Sequence, residues 1–74
     1  MNKESIIRHI LVDTRYTQSA VARMMGINRS TLAMRITSDN ISLENFNEIL
    51  KALDYKIVVM PASVKTPKGG YEVE

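Results

Sequence analysis

Residues 18–36 constrain this chain more than any other stretch: Gln-Ser-Ala-Val-Ala-Arg-Met-Met-Gly-Ile-Asn-Arg-Ser-Thr-Leu-Ala-Met-Arg-Ile. The apolar periodicity predicts a helix ending near Met25 and a second running from Arg29 to about Thr37. Ala22 falls where two such helices would cross, and only a small side chain allows close approach there. Gly26 falls where the first helix must end, and a positive φ costs glycine little. Ile27 and Leu32 supply apolar contacts that hold the second helix against the first. Asn28 is a suitable N-cap for it.

Two helices joined by so short a turn form a helix-turn-helix, whose second helix lies in the DNA major groove. At these residues the chain resembles the lambda-repressor/Cro superfamily, also called XRE-like regulators. The matching residues are Thr17-Gln18, Ala22-x3-Gly26-Ile27 and Asn28-Arg29-Ser30-Thr31-Leu32. Ile41-Ser42-Leu43-Glu44, leading to Ile49-Leu50-Lys51-Ala52-Leu53, extends the match. The resemblance covers roughly residues 3–60 and implies a small α-helical DNA-binding domain. One departure bears on the site. Many members carry an apolar residue where this chain has Arg35, and here Ile36 follows it. Leu32 and Ile36 still share a helical face, but the recognition helix has room to roll and shift its base-contacting set.

The 74 residues make one domain with a limited core. With no Cys, disulfides and Cys-based zinc sites are excluded. His9, the single histidine, has no cluster of carboxylates near it, so neither metal nor cofactor is expected. No apolar run is long enough to span a membrane. The start, Met-Asn-Lys-Glu-Ser, lacks the apolar core of a signal peptide. A cytoplasmic location is the expectation. Net charge is +2 but unevenly placed. Residues 1–38 hold every arginine and balance to +4, whereas residues 39–74 balance to −2. A cationic side is the footprint of a nucleic-acid binder, although an uneven solvated surface would look the same.

Four helices are expected. The first, over residues 3–13, carries Ile6, Ile7, Ile10 and Leu11 on one face, with Arg8 and His9 off it. His9 reads as a solvated residue, with a phosphate contact as the alternative. Thr17 caps the second helix, where Val21, Ala22 and Met25 face inward while Arg23 and Met24 are exposed. Thr37-Ser-Asp-Asn40 closes the third as a loop. Ser42 caps the fourth, with Glu44 in its first turn where the helix dipole favours an acid. Its stripe of Phe46, Ile49, Leu50 and Leu53 is core.

Beyond Asp54 the pattern changes. Tyr55-Lys56-Ile57-Val58-Val59-Met60 is β-branched, ends at Pro61 and reads as a strand. A lone strand needs a partner for its backbone. Pairing with the same strand of a second copy is the first solution. A hairpin with the short segment Tyr71–Glu74, across Pro67-Lys-Gly-Gly70, is the second. The expected fold is mainly α: a four-helix lambda-repressor-like helix-turn-helix domain over 1–60, with a C-terminal β-strand at 55–60 used in dimerisation. Residues 61–74 are expected to form a mobile tail, or in part a hairpin strand at 71–74.

Roles follow from position. The free amides at Thr17 and Gln18 should meet a phosphate. Arg29, Ser30 and Thr31 occupy the first turn of the recognition helix, which reaches base edges. Arg29 suits a bidentate contact with guanine, and Ser30 or Thr31 suits base or phosphate. Met34, one turn on, suits a thymine methyl. Arg35, Thr37, Ser38 and Asn40 are placed for backbone contacts. Each has a plainer reading: surface arginines, first-turn helix residues, a partly packed Met34. Asn28 reads as a cap before it reads as a base reader.

The leading function is a sequence-specific transcriptional regulator, a repressor binding palindromic operator DNA as a homodimer. The alternative is an antitoxin or mobile-element accessory protein that binds a partner protein through its C-terminal strand and tail. Enzyme chemistry is not expected, because the chain has no acid/base pair, nucleophile motif or phosphate-cradling glycine loop. RNA binding is disfavoured by the scarcity of aromatic residues, with Tyr16, Phe46, Tyr55 and Tyr71 the only ones.

Overall fold

Local capping chemistry marks where three of the four helices begin. In the computed structural model, which describes residues 1–74, the helices are α1 (Lys3–Thr14), α2 (Gln18–Met25), α3 (Arg29–Thr37) and α4 (Leu43–Ala52). The side chains of Asn2, Thr17 and Ser42 accept from the amides of Ser5, Ala20 and Asn45 at 2.8, 3.1 and 3.1 Å, starting α1, α2 and α4. Each satisfies one amide that has no partner inside its own helix. Asn28 holds the corresponding position before α3, but its side chain makes no capping bond. The expected cap is there by backbone conformation only.

The turn between α2 and α3 takes three residues, Gly26 to Asn28. Gly26 has φ +70°. The Gly26 amide donates to the Arg23 carbonyl at 3.2 Å, and the Ile27 amide donates to Ala22 at 3.0 Å. This is the Schellman pairing that glycine favours at a helix end. Ala22 is buried at the crossing, with Ile27 half-buried against the core.

The core comprises Ile6, Ile7, Ile10, Val21, Ala22, Leu32, Ile36, Ile41, Phe46, Ile49, Leu50 and Leu53, and no polar residue is buried with them. Both α1 and α2 pack on α3 and α4, and the contact between α2 and α3 is the one inside the motif itself. Leu32 and Ile36 are both fully buried, and this fixes the roll of α3. Turning the helix to bury Met34 and Arg35 would expose two aliphatic side chains, at about 1.5–3 kcal/mol each. Lys3 adds a tie across the fold, its ammonium donating to the Ile41 carbonyl at 2.9 Å.

The expected C-terminal strand does not form. Tyr55–Met60 takes no regular secondary structure, and the chain contains no β-strand. The Tyr55 amide is spent on α4, donating to the Leu50 carbonyl at 2.8 Å, and no backbone bond within the chain uses residues 56–60. The hairpin alternative is absent for a different reason. Residues 72–74 engage the N-terminus instead: the Met1 amine donates to the Glu72 carbonyl at 3.0 Å, and the Glu74 amide donates to the Met1 carbonyl at 2.9 Å. Tyr71 lies along α1, its hydroxyl donating to Asp13 Oδ2 at 2.7 Å and its ring edge-on to His9 at 6.2 Å.

Candidate nucleic-acid interface

With Leu32 and Ile36 turned inward, α3 presents Arg29, Ser30 and Met34 to solvent. Met34 is 71 % exposed, which leaves its thioether free for an apolar contact. Arg29 makes no ion pair. The first three amides of α3 have no acceptor, because Asn28 does not cap them and the first helical bond is Leu32 amide to Asn28 carbonyl at 3.1 Å. Arg29, Ser30, Thr31 and the uncapped Asn28 thus concentrate free donors at one helix start.

Thr17 and Gln18 flank the start of α2. The Thr17 hydroxyl is occupied by the Ala20 amide, so an anion there would meet the amides of Gln18 and Ser19. Gln18 itself is half-buried.

Beyond Met34 the surface folds into an open groove of about 360 Å³ between the end of α3 and the start of α4. Thr31, Met34, Arg35, Ser38 and Asn40 line it, together with Ser42 and Asn45. Five residues singled out from the sequence therefore converge here. Ser42 and Asn45 add to them. Ser42 was legible in the sequence only as a cap, and Asn45 carried no signal of its own. Thr37 is exposed and takes no part in the groove, and its hydroxyl donates back to the Ala33 carbonyl at 2.8 Å.

The cations differ in freedom. Arg8 is bound to Glu4 on its own helix at 2.9 Å, and Arg35 lies 4.0 Å from Glu48 on α4. Arg15, Arg23 and Arg29 have no acidic partner and are exposed. No cluster of side chains suited to a metal ion is present, and no helix is long and apolar enough to cross a membrane.

The profile of the helix-turn-helix family HTH_3 matches residues 7–59, which takes in all of this surface. The chain belongs to that family. It is a lambda-repressor/Cro-like helix-turn-helix protein, and the family is one of DNA-binding transcription regulators. No curated protein and no solved structure matches the chain.

Proposed function

We propose that this helix-turn-helix protein is a repressor that binds a palindromic operator as a homodimer, with α3 in the major groove. The observation that carries the reading is the exposed face of α3. Arg29, Ser30 and Met34 stand out from a helix whose other face, Leu32 and Ile36, is locked in the core. Such a helix offers a cation, a hydroxyl and an apolar group at fixed positions to base edges. Thr17 and Gln18 at the start of α2, and Arg35, Ser38 and Asn40 in the groove, serve the phosphate backbone. Two-fold symmetry would present two copies of α3 to successive major grooves. Repression would follow from occupying promoter DNA.

Dimerisation is assigned to Tyr55, Lys56, Ile57, Val58, Val59 and Met60. Two features support it. Val58, Val59 and Met60 are 61, 96 and 40 % exposed, and residues 56–60 have no backbone partner in their own chain. Such an edge of unpaired backbone groups can pair with a second chain. The same exposed edge favours a second reading, in which it binds a different protein, as in an antitoxin or an accessory factor of a mobile element.

Selection of binding sites from random duplexes, together with the solution mass of the purified protein, tests both readings. A palindromic consensus and a dimer mass support the repressor. A monomer that enriches no sequence excludes it and leaves the protein-binding alternative.

A further inference from the structure

We propose that Glu48 is a positioning residue that sets how strongly Arg35 engages the DNA backbone. The inference rests on the DNA-binding reading of α3. Arg35 is the only arginine whose guanidinium lies beside a carboxylate from another helix, Nη1 to Glu48 Oε2 at 4.0 Å. Arg8 is held by its own helix, and the remaining arginines are unpaired. The Arg35 side chain is 31 % exposed and that of Glu48 is 53 % exposed. The acid therefore meets solvent beside a cation that is partly enclosed.

Arg35 lines the groove with Thr31, Met34, Ser38 and Asn40, whereas Glu48 does not. Glu48 lies one turn along α4 from Asn45, which does line the groove. A phosphate seated at the groove competes with Glu48 for the same guanidinium. Arg35 either swings away from Glu48 to reach the phosphate, or stays and brings a second negative charge close to it. Both routes weaken the contact. Exposed ion pairs contribute little to folding stability, so the effect of Glu48 falls on binding. The acid on α4 thus restrains one cation of the interface while Arg29, the cation placed for base reading, remains free.

The test compares wild type, E48Q, R35Q and the R35Q/E48Q double variant, each as the full chain. Each is titrated against a random-sequence duplex and a selected site across a salt series. E48Q is expected to tighten binding to both duplexes by about three- to ten-fold at low salt, the contribution of roughly one phosphate contact. It should also steepen the dependence of log K on log salt by about 0.9, one further counterion released. In the R35Q background the same change should move affinity by less than about two-fold and leave the slope unaltered. E48D, which keeps the charge, should stay near wild type. Equal tightening with and without Arg35 would overturn the proposal, since it would mark simple removal of a negative charge. Unchanged or weaker binding by E48Q, with helical circular dichroism intact, would overturn it too. If the wild-type protein bound no duplex at any salt, the DNA-binding reading would fail and carry this inference with it.

Discussion

The amide of Ile27 donates to the carbonyl of Ala22 at 3.0 Å, reaching back across Gly26. This bond closes α2 and draws Ile27 against the residue that lets α2 and α3 approach. It can form only while residue 26 holds its positive φ of 70°. The angle between the two helices, and so the presentation of α3, hangs on one backbone conformation.

Gly26→Ala is expected to cost about 1–2 kcal/mol, the left-handed penalty for a residue with a Cβ. The cause is conformational strain alone, because a Cβ at this position would meet nothing within 4 Å. Urea denaturation should show a lower midpoint with an unchanged slope. Gly26→Asn should lose less.

The end of α4 makes the converse case. Asp54 has φ +63°, and the Tyr55 amide donates to the Leu50 carbonyl at 2.8 Å in the same pairing. Here an aspartate fills the glycine position and sets a negative charge against the helix C-terminus, where the dipole disfavours it. Asp54→Gly should therefore raise stability by about 0.5–1 kcal/mol. A melting temperature equal to or below wild type would contradict this account.

Helix limits and caps were legible because they are local. Thr17, Ser42 and Gly26 act within a few residues of themselves, and α3 runs from Arg29 to Thr37 as its periodicity indicated. Asn28 shows where such reasoning stops. Its identity and backbone suit a cap, yet its side chain makes no capping bond. Contacts between distant segments left no periodic trace. Tyr71 and Asp13 are 58 residues apart, and nothing in either neighbourhood announces their bond. The pairing of Arg35 with Glu48 depends on how α3 and α4 pack. The segment 55–60 has the composition of a strand, but a ladder needs a second strand, and the tail is engaged with Met1. Within the candidate site, the residues on the exposed face of α3 followed from the burial of Leu32 and Ile36. Ser42 and Asn45 needed the groove itself to bring them in.

The tail contact has a pH signature. The hydrogen bond that Tyr71 donates to Asp13 holds its phenol above the ordinary value of 10.0, with desolvation and the charge of Asp13 acting in the same direction. A raised folded value means the contribution to stability is present below pH 10 and is lost as pH rises through the raised value. The difference in tyrosinate absorbance between wild type and Tyr71→Phe should show a step above pH 10. A step at or below that value would remove the hydrogen bond from the account.

Arg29→Ala is expected to weaken binding to a selected site by about 1–3 kcal/mol and relax preference at one position in each half-site. Arg29 is exposed, without an acidic partner, in the first turn of α3. Phosphate contacts elsewhere would persist, so affinity for random duplexes should fall much less. Equal losses on selected and random duplexes would reassign Arg29 to the backbone. No loss on either would remove it from the interface.

Val58→Pro tests the assembly. Val58 is 61 % exposed and no backbone bond within the chain uses its amide, so proline should leave the four helices and their circular dichroism unchanged. Between two copies the same change removes a ladder donor from an antiparallel pair. Wild type should sediment as a dimer at micromolar concentration, and the variant as a monomer. Operator affinity should fall with the dimer, because the two copies of α3 need the partner to span successive major grooves about 34 Å apart. Binding of a single half-site should survive, since the surface of α3 is built within one chain. A wild-type monomer, or a variant that dimerises as well as wild type, would show that residues 55–60 serve some other contact.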